Sequence, residues 1–155
     1  MSGGNGPSEV VSRQGDRVAI VASQWHTQVM AGLIAGASAA LSEAQASFEV
    51  IEVPGSFELP LGCQLAIDSG FDAVVALGVV IRGGTPHFDY VCHAATDGLA
   101  KLSLATSVPV GFGLLTCDNE EQAIDRAGLP GSSENKGREA AVAALLMLDV
   151  IDRLR

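Results

Sequence analysis

Four apolar runs alternate along this chain with stretches of helical length, and this alternation restricts the fold more than any other feature of the sequence. The runs cover residues 17–23, 48–54, 73–81 and 109–116, and the helical stretches cover about 27–45, 57–68, 88–104, 119–127 and 136–153. The first and third runs are nearly continuous and β-branched, which is typical of strands buried on both faces.

Strands that alternate with helices predict a parallel sheet with helices on both faces. We expect one α/β domain, residues 16–155, with a flavodoxin-like three-layer sandwich and a four-stranded sheet of order 2-1-3-4. Residues 1–15 are rich in Gly and Ser, so they predict a flexible N-terminal segment. The alternative is an arm that orders only on a neighbouring subunit.

The charge of the chain limits its partners. The 155 residues include 18 Asp and Glu against 9 Lys and Arg, which gives a formal net charge of −9. We therefore expect no binding to nucleic acid or to anionic membrane surfaces, and an anionic substrate would require a locally positive pocket. No apolar stretch is long enough to span a bilayer.

The cysteines indicate the compartment. Cys63, Cys92 and Cys117 form no Cys-x-x-Cys pair, and their odd number does not fit a disulfide framework. We expect a cytoplasmic protein, since no signal peptide is visible and a reducing compartment fits these thiols. The spacing of His26 and His93 relative to the cysteines matches no metal site, so we expect no metal.

Function is expected where the strands end, because ligands of doubly wound sheets bind beyond the carboxyl ends of the strands. The third strand leads into Arg-Gly-Gly-Thr-Pro-His at 82–87. Gly83 and Gly84 would let consecutive N–H groups form an anion nest, and Thr85 would add a donor; a plain turn is the alternative. His87 begins the next helix, where it could transfer protons or only cap the helix.

Other residues near the ends of elements also have two interpretations. Trp25, the only tryptophan, could stack on a planar heterocycle or fill a core or an interface. Glu58 and Arg126 lie where the helix dipole favours their charges, but they could also bind a ligand hydroxyl and a phosphate. Lys136 begins the last helix, where the dipole disfavours a cation, which suggests another role.

Two helices carry further predictions. Asp118 with Glu121 predicts a capping box at the fourth helix. The last helix is apolar on nearly every face from 139 to 148, whereas a helix on a small monomer needs only one apolar stripe. This pattern predicts a second covering surface, another subunit; cover by the same domain is the alternative.

Several segments of the chain, in order, resemble the motifs of the lumazine synthase family. The most specific has a glycine, an apolar run, Arg-Gly-x-Thr-x-His and an aromatic residue. The similarity covers about residues 17–153. The segments are AIVASQWH, VPGSFELP, GVVIRGGTPHFDYV, PVGFGLLTCDNEEQAIDRAG and NKGREAA.

The resemblance implies an enzyme of riboflavin biosynthesis at its penultimate step. Such an enzyme condenses 5-amino-6-(D-ribitylamino)uracil with 3,4-dihydroxy-2-butanone 4-phosphate to 6,7-dimethyl-8-ribityllumazine, phosphate and water, without a cofactor. The resemblance also implies a homopentamer whose sites are shared between subunits. The N-terminal segment could form an extra strand on a neighbouring subunit. Some members of the family build a 60-subunit shell. The long linker 128–137 favours the free pentamer.

By resemblance, the site residues have distinct roles. His87 transfers protons, Trp25 stacks on the pyrimidine, and Phe112 covers the ring from an adjacent subunit. The other residues bind parts of the substrates: Ser56, Phe57 and Glu58 hold the ribityl chain, the backbone of Val79, Val80 and Ile81 contacts the uracil edge, and Gly84, Thr85 and Arg126 bind phosphate, with Lys136 nearby.

Two other functions are compatible with the residues. A flavodoxin-like module that binds a flavin or a nucleotide without catalysis would carry a bound chromophore and form no product. A shell or ring that serves only as a scaffold would tolerate the loss of His87 or Arg126.

Overall fold

The four strands form one parallel sheet. The computed structural model describes residues 6–155, and its strands are β1 (Arg17–Ser23), β2 (Ser47–Val53), β3 (Ala73–Ile81) and β4 (Val110–Cys117). They are ordered β2-β1-β3-β4, and every neighbouring pair is parallel. The predicted α/β class, the flavodoxin-like topology and the 2-1-3-4 order are therefore confirmed.

The helices occupy the five stretches predicted for them, with small displacements at their ends. They are α1 (Thr27–Glu43), α2 (Leu59–Asp68), α3 (His87–Thr106), α4 (Glu120–Arg126) and α5 (Lys136–Leu154). The second stretch starts with a separate 3₁₀ turn, Ser56–Glu58, before α2 begins. Pro60 lies in the first turn of α2, where its missing N–H costs no helical hydrogen bond.

An apolar core lies on each face of the sheet. Ala19, Val21 and Val74 face α2 and α3, whereas Val18 and Ile20 face α1, α4 and α5. Successive side chains of a strand point to opposite faces, so both faces of β1 and β3 are buried. This explains why their sequences are continuously apolar, and it leaves only their ends open to a ligand.

The capping box predicted at α4 is displaced by one residue. Asn119, rather than Asp118, is the N-cap, and its side-chain oxygen accepts a hydrogen bond of 2.9 Å from the Gln122 N–H. The Gln122 side chain in turn accepts one of 2.7 Å from the Asp118 N–H. Glu121 takes no part in this cap, because Gln122 occupies the third position after Asn119 and reaches back over the turn.

The prediction that another subunit covers α5 is wrong for most of the helix. Ala140 and Leu145 are fully buried within this single chain. One side of α5 packs against α1 and the sheet, and a Cβ on Gly137 would lie only 2.0 Å from the Leu33 carbonyl oxygen. Met147 remains exposed. Neither α5 nor any other helix within residues 6–155 is long and apolar enough to cross a membrane.

The described part of the N-terminal segment, residues 6–15, lies along the chain's own helices. Val10 and Val11 pack against the α1 and α5 core. The Arg13 N–H donates to the Ala44 carbonyl oxygen at 2.7 Å, and its guanidinium lies 2.7 Å from Asp152. Residues 1–5 lie outside the described residues. Flexibility of this segment, and its pairing with a neighbour's sheet, stay predictions.

Candidate functional site

The carboxyl ends of β1, β2 and β3 surround an open cavity of about 520 Å³, where the topology predicted a ligand. Most of the predicted site residues line it. His26, Gly55 and Val91 line it as well, although the sequence assigned no individual role to them. We call this cavity the pocket half; its predicted residues are Trp25, Ser56, Phe57, Glu58, Val79, Val80, Ile81 and His87.

Two aromatic rings of the pocket half are unusually exposed. Trp25 is 65% exposed and Phe57 is 63% exposed, although large rings are normally covered. A Cβ on Gly55 would lie 3.2 Å from the Trp25 indole nitrogen and 3.3 Å from the Glu58 carboxylate, so glycine lets both approach the backbone. Exposed rings beside a cavity offer a flat surface on which a heterocycle can stack.

The same cavity contains a buried hydroxyl that has no partner. Ser56 is only 6% exposed, and its Oγ forms no hydrogen bond within residues 6–155. Gly78 makes room for it, since a Cβ there would lie 2.8 Å from that oxygen. Buried polar atoms are nearly always paired, so this hydroxyl has an unused hydrogen-bonding capacity at the wall of the cavity.

His26 could have been noticed from its neighbour, because it follows Trp25 directly at the end of β1. In the structure it precedes α1 with φ 58° and ψ 64°, the left-handed conformation that non-glycine residues rarely adopt. No sequence pattern predicted this conformation, since histidine adopts it more often than most non-glycine residues but still only occasionally. It turns the chain sharply at the rim of the pocket half.

The loop after β3 is held by Arg82. Its Nε lies 2.9 Å from an Asp118 carboxylate oxygen, and its guanidinium carbon lies 4.4 Å from the centre of the Phe88 ring. The hydrogen bond to Asp118 raises the pKa of the Arg82 guanidinium. These contacts connect the ends of β3 and β4 to the first turn of α3, where His87 lies.

The left-handed form of the anion nest predicted at this loop is absent. That form pairs a right-handed with a left-handed residue, but neither Gly83 nor Gly84 has a positive φ. A Cβ on either glycine would meet no atom within 4 Å, so the loop is open. The donors at this loop are the Gly84 N–H, the N-terminal N–H groups of α3 and the Thr85 hydroxyl, whose oxygen also accepts a 3.4 Å hydrogen bond from the His87 N–H.

The remaining predicted residues lie at the free edge of the sheet. Phe112, Arg126 and Lys136 line a second cavity of about 210 Å³ along β4, with Thr116. We call this cavity the edge half, and it shares no lining residue with the pocket half. Gly84 and Thr85 line neither cavity. One chain therefore does not bring all the predicted residues together.

Opposite charges alternate beside the edge half. The Lys136 Nζ lies 3.0 Å from Glu134 and 3.3 Å from Glu139, and Glu134 also lies 3.6 Å from the Arg126 Nε. Desolvation by burial lowers the pKa of Lys136, but hydrogen bonds to Glu134 and Glu139 outweigh this effect, so the pKa is raised. The two carboxylates also offset the unfavourable interaction of the Lys136 charge with the dipole at the N-terminus of α5. The sequence did not single out Glu134, whose only signal is its position near Lys136.

The thiols are poorly suited to nucleophilic chemistry. The three cysteines are free, and burial raises the pKa of Cys63 to about 12. Burial is also the largest cause that raises the pKa values of Cys92 and Cys117. A thiol with a raised pKa forms little of the reactive thiolate. Within residues 6–155, no three His, Cys, Asp or Glu side chains are arranged to hold a metal ion.

Comparison with known proteins gives a consistent result. Residues 15–152 match the sequence profile of the family described as 6,7-dimethyl-8-ribityllumazine synthase. The protein of that name from Leifsonia xyli is 56% identical over 154 residues, 99% of this chain and 98% of its own. Those from Streptomyces coelicolor (58% identical, covering 94% and 91%) and Kocuria rhizophila (66%, covering 83% of each) are also similar. The profile match includes both halves of the candidate site.

Proposed function

Because the chain belongs to the 6,7-dimethyl-8-ribityllumazine synthase family and is therefore a transferase of riboflavin biosynthesis, we propose that its two half-sites together perform the condensation. The substrates are 5-amino-6-(D-ribitylamino)uracil and 3,4-dihydroxy-2-butanone 4-phosphate. The single observation that carries this assignment of residues is the separation of an aromatic cavity at the strand ends from a cationic cavity at the sheet edge.

The pocket half binds the pyrimidine in this proposal. Trp25 stacks on the ring, and the backbone of Val79, Val80 and Ile81 contacts the uracil edge. Ser56, Phe57 and Glu58 hold the ribityl chain. The unpaired Ser56 hydroxyl supports this role, because a ribityl hydroxyl would supply the missing hydrogen bond.

The phosphate of the second substrate binds between the halves. Gly84 and Thr85 supply N–H and hydroxyl donors from one subunit, and Arg126 supplies a guanidinium fork from the next, with Lys136 close by. Phe112 of that neighbour covers the pyrimidine. A cationic edge half is needed because the chain as a whole carries a charge of −9, which repels an anionic substrate.

His87 is the proton-transfer residue. The amine of the pyrimidine condenses with the ketone to a Schiff base and releases water, phosphate leaves, and the ring closes when the ribitylamino nitrogen attacks the remaining carbonyl and a second water is released. Each step moves a proton, and an imidazole can accept and return protons near neutral pH. His87 lines the pocket half, where it can reach the reacting atoms. Much of the remaining catalysis comes from holding two reactants together.

A ring of identical subunits completes the site, and we propose a homopentamer. Leu61 and Leu65 are more than half exposed on one side of α2, while a groove between α3 and β4 contains Leu99 and Phe112. Contacts between two different surfaces of identical chains are head-to-tail, and they close into a ring when the rotation permits it. Native mass measurement distinguishes the pentamer from a 60-subunit shell.

The reaction needs no cofactor in this proposal, and the enzyme works in the cytoplasm. The condensation transfers no hydride or electron, and the groups that line both halves can supply the required hydrogen bonds and proton transfer. Three free cysteines support a reducing compartment.

The direct test is incubation of the protein with both substrates, followed by the absorbance and fluorescence of the lumazine. Product formation is expected. A bound flavin without product, at micromolar protein, would instead support a non-catalytic binding module. A scaffold would assemble normally and remain silent in the same assay.

Sharing of the site between subunits has its own test. His87→Ala and Arg126→Ala chains, each with about a tenth or less of the normal rate at low concentrations of the phosphate substrate, are assembled together in equal amounts. Random assembly places an intact pocket half beside an intact edge half at about one interface in four, so part of the activity should return. No recovery in mixed rings would show that each site is formed within one chain.

A further inference from the structure

A carboxylate lies between the two cations of the edge half. Oxygens of Glu134 lie 3.0 Å from the Lys136 Nζ and 3.6 Å from the Arg126 Nε. The Glu134 side chain is 21% exposed, so part of its charge is shielded from water. Any anion that binds both cations must compete with this carboxylate for them.

The backbone of Glu134 is fixed independently of its carboxylate. Its N–H donates to the Asp125 carbonyl oxygen at 3.1 Å, and its carbonyl oxygen accepts from the Gly128 N–H at 2.9 Å. The Ser133 hydroxyl and N–H both donate to the Asp125 carboxylate, at 2.6 and 2.9 Å. The linker therefore keeps Glu134 next to the cations, and only its side chain is free to rotate.

Each cation also has a partner other than Glu134. Lys136 retains Glu139 at 3.3 Å, and an Arg126 terminal nitrogen donates to the Gln122 carbonyl oxygen at 2.9 Å. Loss of the Glu134 charge therefore leaves both cations close to their present positions. Its main effect is electrostatic, since one negative charge disappears from the place where a phosphate is expected.

We propose that Glu134 is an internal competitor for the phosphate subsite, which weakens the binding of the phosphate substrate and of inorganic phosphate. This inference rests on the function proposed above. The Arg126 contact is the longer of the two, so the carboxylate gives up Arg126 when phosphate binds and keeps Lys136. When phosphate leaves, the contact forms again. Glu134 thus sets the affinity of this subsite for phosphate without touching the reacting atoms.

The test uses Glu134→Gln, which keeps the size of the side chain and removes its charge. Glu43→Gln is the matched control, because Glu43 pairs with Arg138 and not with a cation of the edge half. In the assembled enzyme, the KM for the phosphate substrate and the inhibition constant of orthophosphate should both fall about three- to tenfold in Glu134→Gln. The KM for the pyrimidine should not change, and Glu43→Gln should behave as the unaltered enzyme.

Unchanged or increased values of both constants in Glu134→Gln would overturn the proposal, and an increase would show that Glu134 positions the cations. Failure of the proposed function has a different signature, namely no lumazine from the unaltered protein. Calorimetric titration with orthophosphate alone still decides the competitor role in that case, because tighter binding by Glu134→Gln supports it and equal or weaker binding overturns it.

Discussion

The pocket half and the edge half differ in what they offer to a ligand. The pocket half has exposed rings at Trp25 and Phe57 and an unpaired hydroxyl at Ser56. The edge half has two cations, Arg126 and Lys136, already engaged by carboxylates. The pocket half is suited to the shape and hydrogen-bonding edge of a neutral heterocycle. The edge half is suited to a negatively charged group. Each reactant of the proposed condensation therefore has a half that fits its chemistry.

The two halves are also held in place by different means. The pocket half lies at the ends of three strands whose backbones are fixed by the sheet. The edge half depends on the linker between α4 and α5, where Gly128 and Gly131 adopt the left-handed conformation, and on ion pairs. Substitutions in the pocket half should therefore change binding locally, whereas changes in the linker should alter the charge balance of the edge half.

Arg126→Ala should give the largest effect and identify the half that binds phosphate. Loss of charge-assisted hydrogen bonds should raise the KM for the phosphate substrate by about a hundredfold, with little change in the KM for the pyrimidine. Steady-state kinetics with each substrate varied in turn measure both values, and Arg138→Ala removes an arginine outside both cavities as a control. Weaker binding of the pyrimidine alone would show that the assignment of phosphate is wrong.

His87→Ala should lower kcat by about tenfold, because an exposed position lets water replace part of the proton transfer. The pH dependence of kcat should change, while the native mass stays the same. His93→Ala, nearly two turns further along α3 and outside the cavity, is the matched variant. An unaltered pH–rate profile in His87→Ala would count against proton transfer by this residue.

Trp25→Ala should have a smaller effect, restricted to the pocket half. Loss of the stacking surface should raise the KM for the pyrimidine about three- to tenfold. Trp25→Phe, which keeps a ring, should retain most of the affinity, and the KM for the phosphate substrate should be unchanged in both variants. Equal effects on the two substrates would mean that Trp25 supports the interface between subunits rather than the ring of the ligand.

The smallest effect concerns the linker of the edge half. Hydrogen bonds from the Ser133 hydroxyl and N–H lower the pKa of Asp125. Because the pKa of Asp125 is lower in the folded state than in the unfolded state, where it is about 4, the contact stabilises the protein at pH values above about 4. This stabilisation is lost as the pH falls through the folded-state pKa. In Asp125→Asn, the Tm should decline less between neutral and acid pH than in an Asp97→Asn control. Equal declines would show that this contact contributes nothing to stability.

Much of the fold was predictable because burial leaves a direct mark on sequence. The continuous apolar runs of β1 and β3 follow from strands with both faces covered, and the topology then placed Trp25, Ser56 and His87 at the carboxyl ends of the strands. The cover of α5 was not predictable. An apolar helix has the same pattern whether a neighbour or its own chain buries it, and here α1, the sheet and the segment that contains Val10 bury most of it.

The errors at the site arise from local geometry that several sequences share. Gly83 and Gly84 permit a left-handed nest, but they do not require one, and their φ values are not positive. Asn119 caps α4 in place of Asp118, because two adjacent polar residues can both serve as an N-cap. Glu134 escaped notice because a carboxylate in a linker resembles an ordinary surface charge, and only the fold brings it to Arg126.

The separation of the two cavities within each chain has a consequence for partial assemblies. In the proposed ring, each chain offers its pocket half to one neighbour and its edge half to the other. An open row of subunits always ends with an incomplete site at each terminus, whereas closure of the row joins these ends and adds one working site without adding a chain. Catalytic output per chain should therefore rise with protein concentration until the rings close, and dilution should reveal incomplete rings as a loss of specific activity.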